Sequence, residues 1–293
     1  MAVRHGYGKI AGADALVFAY DTGDTRNSYK GEPTVNMLYS AGGYNFTNGG
    51  NDLYGRASKT NLGGGKYRYV NNGAGISTIR LYVNQPDLID GQTYAVSVYF
   101  EDLIGSLNID WCDQTVVGTS SSSNSSGRLG GYSSRSSYAS PYYFFDITIS
   151  TNGSVTLFNP QVEYKSHVTP FVAGTRSATQ GLLDLTGNNT IDLNTVSFDS
   201  NAQMTFDGTD DKAEVLNFPH IWNGSVTMEA IVSWNDDSRS IIFGNYNVGA
   251  NDINFEKLEG RRMRFYWNRG ERDVTTGNNV VTTTGDYHHI TMV

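Results

Sequence analysis

What most constrains this chain is the lack of any helical period. Nowhere do helix-forming residues recur at a 3.6-residue spacing through three turns, so almost no helix is expected. Apolar residues alternate with polar ones in short runs instead, and the runs end at Gly, Asn, Asp and Ser. Residues 92–100 are the clearest case: Tyr94, Val96, Val98 and Phe100 share one face of an extended chain. Residues 66–70, 79–83, 107–111, 142–150 and 154–158 read as strands too, and Asn152-Gly153 is a hairpin turn between the last two. Residues 14–20 form a compact apolar strand. Later strands are expected over 195–198, 202–206, 212–215, 225–234, 240–243, 251–258, 263–267 and 288–293. Thirty-three glycines and nineteen tyrosines suit short strands and tight turns, so the chain reads as all-β.

Length and charge set the next limits. A chain of 293 residues suggests two domains. A composition shift near residue 176, where tyrosine thins out and Asp-Gly and Asn-Gly turns recur, places the boundary. The net charge of −8 argues against nucleic acid, which needs a basic stripe. No run approaches eighteen apolar residues and the first residues hold no apolar core, so neither a membrane span nor a signal peptide is expected. Outside a cell, such a chain would travel by lysis or within an assembled particle. The single Cys112 excludes an intrachain disulfide and, beside Trp111, reads as a small buried hydrophobe.

Candidate chemistry is sparse. Asp207, Asp210 and Asp211 offer carboxylate oxygens of the kind calcium takes, with Asp21 and Asp24 as further donors. The plainer reading is an Asp-Gly turn with a solvated tip, and no cofactor is expected. Glu101-Asp102 and Glu229 follow no glycosidase pattern and fall in different expected domains. His288 and His289 are adjacent in a strand, so they point to opposite faces and do not chelate one ion. The Ser-rich stretch 118–126 reads as a surface loop, with no nucleophile elbow. Tyr67, Tyr69, Tyr132, Tyr138, Trp222, Tyr246 and Trp267 lie near loops or strand ends. Each alone suits core or rim packing; together they suit glycan contact or a large protein interface. Arg4, His5, Tyr7 and Lys9 mark a small, Gly-rich tail, 1–13, that is either flexible or orders on a partner.

Two resemblances follow from particular words. Leu183-Asp184-Leu185-Thr186-Gly187-Asn188-Asn189, Phe206-Asp207-Gly208-Thr209-Asp210-Asp211 and Val226-Thr227-Met228-Glu229-Ala230-Ile231-Val232 resemble three successive elements of the laminin-G/concanavalin-like jelly rolls of tailed-phage virion proteins. The two elements that should precede them stand far upstream, at residues 15–24 and 28–34. Between them, Gly91 to Phe100 and Leu157 to Val172 resemble the carbohydrate-binding-module-like jelly rolls of phage tail proteins.

The resemblances imply two antiparallel β-sandwiches, one inserted in the other. The outer domain would be 14–33 plus 176–293, C-terminally incomplete because the chain stops after the strand at 287–293. The insert would be 34–175. They further imply a non-enzymatic structural component of a tailed-phage virion, located in the virion as a capsid decoration, head fibre or tail appendage. It would dock on other virion proteins through its tail, form a homo-oligomer and hold host-surface polysaccharide. The alternatives are a structural cement protein without glycan affinity and a polysaccharide-degrading enzyme of concanavalin-like architecture.

Overall fold

The computed structural model describes residues 16–38, 46, 51–54, 57–83, 89, 91–112, 115–134, 143–216, 218, 227–234, 236–245, 253–267, 272–283 and 285–292. The chain forms two compact units, Met1–Asn217 and Phe218–Val293. Both are built from antiparallel strands, and the only helical segment among the described residues is a 3-10 turn at Ala178–Gln180.

The first strand described in the first unit is β1, Thr34–Val35. Its body is a sandwich of two five-stranded sheets. One sheet holds β2 (Asn51–Tyr54), β5 (Ser77–Val83), β10 (Tyr143–Ile149), β7 (Ser106–Trp111) and β8 (Thr115–Ser121), side by side in that order. The other holds β3 (Ala57–Gly63), β4 (Lys66–Asn71), β11 (Ser154–Glu163), β6 (Thr93–Ile104) and β9 (Gly127–Ser134). The alternation read from the sequence fills the space between them. Ile79, Leu81, Leu107, Ile109, Trp111, Phe145 and Ile147 meet Tyr67, Tyr69, Tyr94, Val96, Val98, Phe100 and Leu157 in one buried cluster that also takes Cys112. Each such side chain contributes about 1.5–3 kcal/mol by leaving water.

Strand β11 is central, and most of its residues are buried on both faces. Its pairing with β6 slips between Phe158 and Gln161, where Asn159 takes φ 51°. Asparagine tolerates this left-handed conformation, and Pro160, with no N–H for a ladder, fits such a bulge. The bulge has a partner: Asn36 Nδ2 donates to Pro160 O (3.0 Å) and Val172 O (3.1 Å), and Asn36 Oδ1 accepts from Val162 N (3.2 Å).

The chain enters and leaves the sandwich at one place. β1 pairs with β12 (Thr175–Arg176), Thr34 against Arg176. Outside this pair Lys30 N donates to Gly181 O (2.7 Å), Leu183 N to Ser28 O (2.9 Å) and Leu185 N to Ala19 O (2.7 Å). A buried polar cluster locks the crossing. Glu163 accepts from Thr34 Oγ1 (2.9 Å), Thr169 N (2.9 Å) and Thr169 Oγ1 (2.6 Å), while Arg176 donates to Glu32 O (2.9 Å) and Lys30 O (2.8 Å). Short pairs follow: β13 (Thr190–Asp192) with β16 (Glu214–Leu216), and β14 (Ser197–Phe198) with β15 (Met204–Thr205). They cover a small core of Tyr29, Leu182, Ile191, Leu193 and Val196.

The second unit contains β17 (Met228–Ser233) paired with β22 (Tyr287–Met292). A four-stranded sheet runs β18 (Ser240–Asn245), β19 (Ile253–Leu258), β20 (Arg262–Trp267), β21 (Arg272–Thr275). Trp234, Ile253, Phe255, Met263, Phe265 and Val281 form its core.

Three expectations need correction. Residues 16–20 are not a strand; they run irregularly and are held by single hydrogen bonds to the 184–186 turn. The Ser-rich stretch is not a free loop: its ends belong to β8 and β9, edge strands of opposite sheets, and only 122–126 turn between them. Asn152-Gly153 closes no hairpin: the turn carries the chain from β10 in one sheet to β11 in the other.

Candidate functional site

The outer face of the β3-β4-β11-β6-β9 sheet carries the most chemistry. In a strand, residues flanking a core position point the other way. Phe158 follows the core residue Leu157, and Tyr99 precedes the core residue Phe100, so both stand on the outer face. Pairing sets them side by side, ring centroids 5.5 Å apart and nearly parallel at 29°. The row extends in both directions. Lys66 Nζ lies 4.6 Å from the Phe158 ring centre, and Arg128, paired with Tyr99, lies 5.1 Å above the tyrosine ring. Four neighbouring strands thus present cation, ring, ring and cation in one line, about 14 Å across at a strand spacing of about 4.8 Å.

Each member is held by a second contact. Lys66 Nζ donates to both oxygens of Glu101 (2.7 and 2.8 Å). Arg128 donates to Thr169 O (2.6 Å) and Ser97 Oγ (2.8 Å), and burial pulls its guanidinium below the usual arginine value. Phe171, on the segment that returns over the sheet, meets Tyr99 edge-on at 6.5 Å. Arg68 lies one position along and donates to Ser154 Oγ (3.0 Å). Tyr99, Phe158 and Phe171 are all half-buried, so none is sealed from solvent.

The sequence candidates fare unevenly. Tyr132 stands on the outer face of β9, 61 % exposed, four residues along from Arg128. Tyr67 and Tyr69 are corrected: at 3 % and 1 % exposure they pack on Phe46 inside the sandwich. Their neighbours Lys66 and Arg68 take the outer face, and alternation leaves the tyrosines no choice but the core. Burial pushes the Tyr69 hydroxyl well up, and its oxygen has no hydrogen-bond partner among the described residues. Trp267 ends strand β20, but its side chain lies outside the described residues, as do Tyr138, Trp222 and Tyr246. Arg4, His5, Tyr7 and Lys9 also lie outside them.

Asp207, Asp210 and Asp211 do bring carboxylate oxygens within 4.8 Å of one another. Two of them already serve the loop. Asp207 Oδ1 accepts from Thr209 N (2.7 Å), and that bond holds its carboxyl below the usual range. Asp211 accepts from Ser197 N (3.1 Å), Ser197 Oγ (3.0 Å) and Asp207 N (2.9 Å). Asp21 and Asp24 cap their own turn, at Gly23 N (2.8 Å) and Asn27 N (3.0 Å). Glu101 is engaged by Lys66, and Glu229 by His289 (2.7 Å). His288 turns the other way, its ring 5.8 Å from Trp234.

Sequence reasoning missed Tyr99, Phe158 and Phe171. Tyr99 sits inside a run of apolar residues and reads as core. Only the β6–β11 register, with its bulge, puts it beside Phe158.

No protein-family model matches the chain, and no curated protein matches it. Solved structures similar to it include a xylan-binding domain from CBM 22, at 17 % identity over 44 % of this chain and 99 % of that chain, TM-score 0.34. The CBM22-1–GH10 modules of the Clostridium thermocellum endo-1,4-beta-D-xylanase 10B match at 14 % identity over 46 % of this chain and 29 % of theirs, TM-score 0.34. The enzymatically active domain of bacteriophage CBA120 tailspike protein 4 matches at 14 % identity over 44 % of this chain and 21 % of that one, TM-score 0.29. Identities and scores this low carry no argument about ligand or activity.

Proposed function

We propose that this chain is a non-enzymatic component of a tailed-phage virion, a capsid decoration, head fibre or tail appendage, whose jelly roll holds host-surface polysaccharide. The order in this reading is a docking tail, 1–13, then an outer concanavalin-like domain, 14–33 with 176–293, carrying residues 34–175 as an insert. Antiparallel pairing of Thr34–Val35 with Thr175–Arg176 supports the insertion, because it brings the two crossings side by side. The observation that carries the binding reading is the line Lys66, Phe158, Tyr99, Arg128, with exposed Tyr132 on the same face four residues along β9 from Arg128. Half-buried rings and spare cation donors along one line suit a hydroxylated chain laid across the strands. Single contacts of this kind are weak, and many copies on a particle supply avidity.

One observation favours the structural alternative: Lys66 and Arg128 already cap the outer faces of the ring pair, so the row stabilises the sheet unaided. A glycan array probed with a multivalent form of the chain separates the two. Retention on polysaccharide spots, lost in Phe158→Ala, supports binding; a blank array leaves the cement role.

A further inference from the structure

A second set of residues forms a groove of about 380 Å³ beside the crossing, between Pro33 and Lys165 on one side and the 193–198 segment on the other. We infer that this groove takes one neutral pyranose ring, so that the chain reads a single sugar unit as well as an extended polysaccharide. The inference rests on the carbohydrate reading above and names a different site for it.

The lining sorts by chemistry. Pro33 and Phe198, both half-buried, supply the apolar part, and Glu32, Lys165 and Asn194 supply polar groups. A pyranose has the matching form, with C–H groups on its ring face and hydroxyls around its rim that both donate and accept. Glu32 is 4 % exposed; Lys165 Nζ donates to one of its oxygens, and the other lies 2.6 Å from His167 Nε2. A carboxylate offers about four acceptor positions, so these two contacts do not exhaust Glu32. Lys165 keeps spare N–H donors, since an ammonium has three. The Asn194 side chain, able to donate and accept, has no hydrogen-bond partner among the described residues, its backbone N–H being taken by Asp192 Oδ1 (2.9 Å).

Charge decides the class. Glu32 is already paired with Lys165, so an ionised ligand brings a charge that nothing in the groove balances, and desolvating it is unfavourable. The shape is preformed. Gly31, at φ +110°, lies under Pro170, and Gly181 lets the backbone reach Leu193 so closely that an added Cβ would stand 2.7 Å from its Cδ1. A groove of this size suits one small ring rather than a chain passing through.

The test uses the whole chain and saturation-transfer NMR with methyl glucoside, galactoside, mannoside and xyloside, alongside methyl glucuronide. At least one neutral glycoside is expected to take up saturation. That signal should fall at least about five-fold in Asn194→Trp, which fills the groove from an exposed position, and persist in Phe158→Ala. Lys165→Met should weaken it as well, while an unchanged thermal midpoint in Asn194→Trp shows that the fold is intact. No uptake from any neutral glycoside, uptake unaffected by Asn194→Trp, or stronger uptake from the glucuronide each overturns the groove. If polysaccharide is still retained, the groove alone is wrong; if polysaccharide and monosaccharide both fail, the binding reading falls with it.

Discussion

Asp184 is the carboxylate on which the outer part of the first unit turns. Its Oδ1 accepts from Ala19 N (3.1 Å) and Thr186 N (3.1 Å). Its Oδ2 accepts from Thr186 Oγ1 (2.5 Å), Asn188 N (3.2 Å), Asn189 N (3.0 Å) and Asn189 Nδ2 (2.8 Å). In Asp184→Asn, one oxygen becomes an NH2 group. The less damaging orientation places it at Oδ1, facing two N–H groups that then lose their acceptor. Each buried donor left unsatisfied costs about 1–3 kcal/mol, and the remaining bonds lose their charge assistance, so the variant should lose about 4 kcal/mol. With a urea slope of about 2 kcal/mol/M, the midpoint for the first unit falls by about 2 M. The Ala19 amide should exchange faster as well. Burial raises the Asp184 carboxyl, but the donors from Thr186, Ala19 and Asn189 outweigh it and hold it below 3.8. That stabilisation is therefore full above the unfolded value of about 3.8 and lost as pH falls through the lower folded value, so variant and wild type should converge in acid. Asp236→Asn, at an exposed turn where the carboxylate receives only Ser238, should leave the urea midpoint nearly unchanged. A midpoint shift below about 0.5 M in Asp184→Asn, or an unchanged Ala19 amide, would refute this role.

Other substitutions test other links. Gly181→Ala places a Cβ 2.7 Å from Leu193 Cδ1 and 2.8 Å from Gly31 O, and should cost about 2 kcal/mol by calorimetry; an unaltered melting point would mean the seam is looser than described. Tyr69→Phe removes a buried hydroxyl without a partner among the described residues, and should leave the protein equally stable or up to about 1 kcal/mol more so; a loss beyond that points to an unrecognised partner. Glu256 is buried with Arg239 Nε and Arg264 Nε each 2.6 Å away, so Glu256→Gln should cost the second unit about 3 kcal/mol, read by hydrogen exchange in β19. Exchange unchanged there would show that the arginines are satisfied by water.

Strands that bury one face were legible: β4, β5 and β7 each show their alternation in sequence and in burial, whereas β6 alternates in sequence but is buried on both faces from Tyr94 to Val98. β3 was not, because it is an edge strand exposed along nearly its whole length and has no apolar face to show. Strands β8 and β9 hid behind their composition. Gly131 comes so close to β8 that a Cβ would stand 2.1 Å from Val117 O, and Gly118 makes room for Leu129, so glycines that resemble loop residues are required by packing. Asp184 with Thr186 and Asn189 was visible as a motif, though not its bond to Ala19 across most of the chain. The candidate site was the least legible part. Counting tyrosines selected Tyr67 and Tyr69, whereas the charges beside them already indicated which face was wet.

The central claim is that the outer face of the β3-β4-β11-β6-β9 sheet holds polysaccharide, and one titration tests it most directly. Wild type and Tyr99→Ala, matched in melting point, are titrated with the polysaccharide that the array identifies. Loss of the central ring should lower affinity at least about ten-fold, or about 1.4 kcal/mol. Equal affinity in the two proteins would contradict the account and move binding away from this face.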